Sequence, residues 1–180
     1  LDYDDDGVWD QLTEPGGMTG VDGSATFSVA LAATTAQTTA GYDLTIAGSA
    51  NTTDMSAGTV FDSVLSAPST STMITPVTTM VAESGLTPAQ VVKVLGLPAG
   101  LDPLTFNAFS TTLSAADKLT ALKVEKTAQK TMAVLQTFET AATSSGMTAA
   151  VAAKAALASV VGMFTAANTL YEAAEATTAG

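Results

Sequence analysis

The amino-acid sequence predicts an α+β chain, with a small antiparallel β-sandwich over residues 1–70 followed by an antiparallel helical bundle over residues 71–180. Three observations predict it. In the first part, large apolar residues alternate with small or polar ones (Phe27, Val29 and Leu31; then Tyr42, Leu44 and Ile46), which is the period of half-buried strands. After the polar stretch at 69–72 the period lengthens to that of helices, with explicit helix-start signals. The charge also divides near residue 75. Asp2, Asp4, Asp5, Asp6, Asp10, Glu14, Asp22, Asp43, Asp54 and Asp62 precede it with no lysine, whereas seven acids and six lysines follow it.

The elements follow in order. Asp22-Gly23 is a turn pair, because glycine takes the positive φ that a tight hairpin needs, and it leads into a strand over 25–31. A second strand covers 42–47, and Val60, Phe61, Val64 and Leu65 make a third that stops before Pro68. Thr75-Pro76 and Thr87-Pro88 each place a hydroxyl at the N-cap and a proline at the first helical position, and Gln90 completes a capping box with Thr87. Gly85 and Gly96 stand where helix C-termini want them. Ser114 and Asp117 form another box. It opens a helix of about 30 residues in which Leu119, Leu122, Ala128, Leu135 and Phe138 recur at helical spacing. Residues 144–148 break it, and an Ala-rich helix with Val151, Val160, Val161, Phe164, Leu170 and Tyr171 follows. Val77, Met80 and Val81 are expected to join strands and helices in one core, with Met73, Met132, Met147 and Met163 as further core fillers.

Composition excludes much chemistry. The chain has no His and no Cys, and its six basic residues are Lys93, Lys118, Lys123, Lys126, Lys130 and Lys154, so it has no Arg. Thiolate and imidazole metal sites, Ser-His-Asp and Cys-His nucleophiles, and bidentate Arg grips on phosphate are all ruled out. A net charge of -11 repels a polyanion, so nucleic acid is not an expected partner. No uninterrupted apolar run reaches membrane-spanning length, so no membrane span is expected. The chain starts at Leu1 without a charged-then-apolar leader and reads as a piece of a longer product.

The opening run LDYDDDGVWDQLTE has the spacing of a calcium loop. Such a loop supplies oxygen ligands from positions 1, 3, 5, 7, 9 and 12 around a glycine turn. Asp2, Asp4, Asp6, the Val8 carbonyl and Asp10 fall at positions 1, 3, 5, 7 and 9, with Gly7 at the turn. Position 12 is Thr13, and Glu14 comes one residue late. The shell is therefore closed by Glu14 through a bulge, by Asp22, or by water. The expected metal is Ca2+, with Asp5 facing away from it and Val8 and Trp9 anchoring the loop in a core. The competing reading is a solvated acidic turn.

The order of acidic loop, TGVDGSATFSV, and FDSVLSAPSTSTMITPVTTMVAESGLTPAQVVKVLGLPAGLDPLTF resembles a module of large bacterial secreted or surface adhesin-type repeat proteins. The front half is similar to the calcium-binding B-type domains of serine-aspartate repeat adhesins. The resemblance covers residues 2 to 110 and implies an immunoglobulin-like or transthyretin-like β domain leading into helices with a "TPVTT" start and an "LGLP" end. Such domains carry a strand before the acidic run, which here would end at Leu1. The implied role is a non-catalytic structural or adhesion module at the bacterial cell surface or outside it, with neighbouring modules of the parent chain or a surface ligand as partners.

Two other functions stay open. Loops of the sandwich could bind a carbohydrate or another ligand, and Thr34–Thr39 and 51–53 are rich in hydroxyls, although a solvated loop is their simplest reading. A carboxylate pair could perform hydrolysis, the one general acid–base chemistry that the composition leaves. Against it, Glu83, Glu125, Glu139, Glu172 and Glu175 read as solvated helix faces.

Overall fold

In a computed structural model of the 180-residue chain, the described residues are 1–3, 10–26, 42–48, 52–54, 58–61 and 63–178. They form four strands, β1 (Asp43–Ala47), β2 (Thr53–Asp54), β3 (Thr59–Val60) and β4 (Val64–Pro68), followed by four helices, α1 (Pro76–Ser84), α2 (Pro88–Val94), α3 (Ala115–Ser144) and α4 (Ala149–Thr178).

The expected β-sandwich is not formed. Among the described residues the β structure is two separate antiparallel pairs, β1 with β4 and β2 with β3, and the protein is mostly helical. The strand expected over 25–31 lies almost wholly outside the described residues, as does Trp9. Alternation shows that one face of a strand is covered but does not show by what. Leu65 and Ala67 of β4 are buried, and the element packed on β4 besides β1 is helix α1. Asp2 continues the β1 edge, since its N–H donates to the Asp43 carbonyl at 2.9 Å and the Asp43 N–H returns to the Asp2 carbonyl at 3.1 Å.

Strand and helix are joined by the segment Thr75-Pro76-Val77-Thr78-Thr79. Thr75 is the N-cap, its Oγ1 accepting from the Thr78 N–H at 3.1 Å while the Thr75 N–H donates to Thr78 Oγ1 at 2.8 Å. Pro76 opens the helix, where its missing donor has no consequence. Val77 enters the core. Thr79 then does what a neighbouring strand would do for β4: its Oγ1 accepts the Ser66 N–H at 3.0 Å and lies 3.1 Å from the Ser66 carbonyl. Thr78 Oγ1 lies 3.2 Å from the same carbonyl. Two hydroxyls on α1 thus satisfy the β4 edge that β1 leaves open, in a place closed to water.

The core is centred on α1 and α2, with Val77, Met80, Val81, Val91, Val92 and Leu97 packed against Val124 and Leu135 of α3 and Val160 of α4. The LGLP stretch ends α2. Gly96 has φ 64°, its N–H donates to Lys93, and the Leu97 N–H donates back to Val92 at 2.9 Å, which turns the Leu97 side chain into the core. Helix starts follow Thr75, Thr87 and Ser114, with the last helix beginning at Ala149, as the capping signals require.

The seam of α3 differs in part from the expected one. Ala121, Val124, Ala128, Thr131 and Leu135 are buried at spacings of three and four, facing Ala152, Ala156 and Val160 of α4. Leu119 and Leu122 are 66% and 67% exposed and Phe138 is 39% exposed. Small side chains let the two long helices approach closely, and the larger leucines are left on the outer face. Met147 and Met163 are likewise largely exposed, whereas Met80 is fully buried and Met132 half-buried.

Helix α4 alters a further expectation. Its segment Val151–Thr178, 28 residues long, is long and apolar enough to cross a membrane by length and composition alone. Lys154 and the interspersed Ser, Thr and Asn residues break any uninterrupted apolar run, which is why the sequence pattern did not show it. Ala152, Ala156 and Val160 of this helix are packed inside the bundle.

Candidate functional site

Of the six expected metal ligands, Asp2, Asp10 and Glu14 are described, and Asp4, Asp6 and Val8 lie outside the described residues. Glu14 is buried. Its Oε1 accepts the Tyr3 N–H at 2.7 Å and its Oε2 accepts the Asp10 N–H at 2.8 Å, so one carboxylate holds the two ends of the acidic run. The Glu14 N–H itself closes a turn on the Asp10 carbonyl at 2.8 Å, and the Leu1 nitrogen donates to the Pro15 carbonyl. Asp2 is buried beside β1, with Thr45 Oγ1 3.5 Å from its Oδ2, and the Tyr3 ring meets Tyr42 edge-on at 5.7 Å. Asp10 is exposed. Asp22 is fully exposed and points elsewhere, its Oδ1 accepting from Ser24 Oγ at 2.8 Å and Ser24 N–H at 3.1 Å, bonds that hold it below the usual carboxylate range. Among the described residues no three acidic side chains are grouped as a metal site would group them.

A concavity of about 580 Å³ lies between the loop 98–113 and the start of α3. Its polar lining includes Asp102, Asn107 and Asp117, and its apolar lining includes Leu101, Phe106 and Leu113. Each polar group already serves the backbone or a cap. Asp102 accepts from the Leu104 N–H at 3.1 Å and from Thr105 Oγ1 at 2.6 Å; Asn107 Oδ1 accepts from the Phe109 N–H at 2.9 Å; Asp117 accepts from the N-cap Ser114 Oγ at 2.6 Å. A smaller hollow of about 270 Å³ separates the β2–β3 pair from Gln129, Met132 and Gln136 of α3.

A polar cluster docks α2 on the end of α4. Gln90 Nε2 and Asn168 Nδ2 both donate to Glu172 Oε1, at 2.8 and 2.9 Å, and Lys93 Nζ lies 2.6 Å from Glu175 and 5.8 Å from the centre of the Tyr171 ring. The Asn168 and Gln90 hydrogen bonds, with the field of Lys93, hold the Glu172 carboxyl below its ordinary range. Glu83 similarly accepts from Ser66 Oγ at 2.6 Å. The glutamates expected to be plain solvated faces therefore include three, Glu83, Glu172 and Glu175, that tie elements together.

No family model, characterised protein or solved structure matches this chain. Its function must be read from the geometry itself. Among the described residues, several buried polar groups act on the chain's own backbone: Thr78 and Thr79 on β4, Ser71 Oγ on the carbonyls of Met73 and Leu104 at 2.6 and 2.8 Å, and Glu14 on Tyr3 and Asp10, while Ser63, Ser66 and Asn168 bond to glutamate side chains. The sequence pattern shows Thr78 and Thr79 only as helix residues. Their role becomes visible when a buried strand edge is placed beside them. A pair of threonines in the first turn of a helix just after a strand is the signal that could have found it.

Proposed function

We propose that the chain is a non-catalytic structural module, a spacer or assembly unit of a longer bacterial secreted or cell-surface protein of the adhesin type. The observation that carries this reading is the commitment of buried hydroxyls and carboxylates to joining strand, loop and helix, as in the Ser66–Thr78–Thr79 junction and the Glu14 clamp. Side chains used in this way make a folded unit hold its shape; a catalytic site instead aims such groups at a substrate. The acidic run is the place for Ca2+ in this reading, with Asp2, Asp4, Asp6, the Val8 carbonyl and Asp10 as ligands. The Glu14 carboxylate supports that role by holding Tyr3 and Asp10 at the two ends of the run.

A second reading has its own observation. The 580 Å³ concavity has the size of a small-ligand site and exposes Phe109 nearby, so a carbohydrate-binding module remains the alternative. The two are separated by titrating the chain with a panel of oligosaccharides while following backbone resonances. The structural reading expects no saturable shifts at Asp102, Asn107 or Asp117. Saturable shifts there, abolished by Asn107→Ala, would replace it with the binding reading.

A further inference from the structure

We infer that this chain associates head to tail with a second copy of itself, the outer face of α3 on one copy receiving the loop segment Asp10–Asp22 of the next. Two independent features of the surface carry this. The first is the outer face of α3, where Leu119, Leu122, Lys123, Lys126 and Lys130 follow one another at helical spacing on the side opposite the Ala121–Leu135 seam. The two leucines are two-thirds exposed and the three lysines are exposed. Among the described residues the one ion pair is that of Lys93 with Glu175, so these lysines have no acidic partner within the described part of their own chain. The acids of α3, Asp117, Glu125 and Glu139, lie off this face by helical spacing.

The second feature is a segment with exposed acids at its two ends and exposed apolar side chains between them. Between Asp10 and Asp22 the side chains of Leu12, Met18 and Val21 are 100%, 95% and 97% exposed, and both flanking aspartates are exposed. The segment is nonetheless shaped by its own backbone bonds, Thr13 and Glu14 to the Asp10 carbonyl and Gly23 to the Gly20 carbonyl. Three large apolar side chains almost wholly in water on a shaped loop mark an interaction surface. The segment sits in the part of the chain that carries ten acids and no lysine, while the face on α3 carries three exposed lysines.

Charge complementarity selects the occupant. A segment that carries exposed apolar side chains between two acids complements a helix face that carries leucines beside lysines, and both are present once on each chain. A contact between two different patches is heterologous and propagates from copy to copy, which suits a unit repeated along a fibre or a surface layer. An anionic membrane is the competing occupant of a Leu/Lys helix face, but a chain of net charge -11 is repelled from it as a whole.

The test is sedimentation of the whole chain over a range of concentrations at low and high salt, with two charge-changing variants, Lys123→Glu/Lys126→Glu/Lys130→Glu and Leu12→Lys/Asp22→Lys, neither of which touches a residue assigned to calcium. All five positions are exposed, and an unchanged helical circular-dichroism signal confirms that each variant folds. The wild type is expected to self-associate and to weaken as salt screens the contact, and each variant alone to associate about tenfold or more weakly. An equimolar mixture of the two variants should recover association, since each then offers the charge that the other lacks. A wild type that stays monomeric at all concentrations, variants that associate like the wild type, or a mixture that recovers nothing would overturn the inference. So would binding of the monomeric wild type to phosphatidylserine vesicles through the same three lysines. None of these outcomes bears on whether the module acts as a spacer, which has a separate readout.

Discussion

Thr79→Val tests the strand–helix junction with the least change of shape. Valine replaces the hydroxyl by a methyl group of nearly the same size, is β-branched like threonine, and leaves helix propensity almost untouched. Thr79 is 1% exposed and Ser66 is 6% exposed, so no water can stand in for the lost group without opening the junction. The Ser66 carbonyl keeps Thr78 Oγ1 at 3.2 Å, whereas the Ser66 N–H loses the acceptor it has at 3.0 Å. One buried, unsatisfied donor costs about 1–3 kcal/mol, so we expect a loss of about 2 kcal/mol. In a domain of this size that lowers the melting temperature by about 4–8 °C. Urea unfolding followed at 222 nm measures it, with Thr79→Ser as the control that keeps the hydroxyl and loses only a methyl group. A Thr79→Val protein as stable as Thr79→Ser, or within about 0.5 kcal/mol of the wild type, would refute the role given to this side chain.

Three further outcomes are expected. Gly48 donates to the Ser63 carbonyl at 2.9 Å just past β1, and a Cβ there would lie 2.6 Å from Phe61 Cδ1 and 2.8 Å from the Phe61 carbonyl carbon; Gly48→Ala should therefore destabilise by about 1–3 kcal/mol in the same urea assay, and a neutral effect would show that β1 and Phe61 are not so close. Glu172 has its folded pKa lowered by Asn168, Gln90 and Lys93, so its stabilisation is complete above the ordinary value of 4.5 and is lost as pH falls through the lower folded value; the wild type and Glu172→Gln should converge in urea midpoint below pH 4.5, and a gap independent of pH would contradict this. Calcium at about 100 times its dissociation constant should stabilise by about 2.7 kcal/mol, raising the melting temperature by about 5–10 °C, with the gain abolished by chelator and by Asp6→Ala; equal midpoints with calcium and chelator would leave the acidic run a solvated turn.

How much was legible in the sequence depended on whether the determining interaction was local. Thr75-Pro76, Thr87-Pro88 with Gln90, Ser114 and Gly96 marked helix ends correctly because caps are settled within four or five residues. Val77, Met80 and Val81 were legible as core because apolar residues three and four positions apart share one helix face. The β-sandwich was misread because Leu65 and Ala67 show that β4 is covered, while the cover is a helix that only the tertiary structure reveals. The α3 seam was legible in part: Ala128 and Leu135 are buried as their spacing predicts, while the size of a leucine side chain does not by itself place it inside. Helix–helix approach selected alanines instead, and left Leu119 and Leu122 outside. Asp2, Asp10 and Glu14 were singled out for charge and spacing, and the Glu14 clamp on Tyr3 and Asp10 is a contact between side chain and backbone that spacing alone does not encode.

The proposed function makes the chain a spacer in a longer surface protein, and the measurement closest to that claim is its replacement there. The 180-residue segment is exchanged for an unrelated, inert folded domain of similar length, and display and reach of the parts beyond it are measured by antibody labelling of intact cells. A spacer is defined by its fold and its length, so the account predicts that deletion impairs display and that the inert domain restores it. Failure of the inert domain to restore display, with rescue only by the original segment carrying an intact 98–117 concavity, would contradict the account and assign the chain a ligand-binding role.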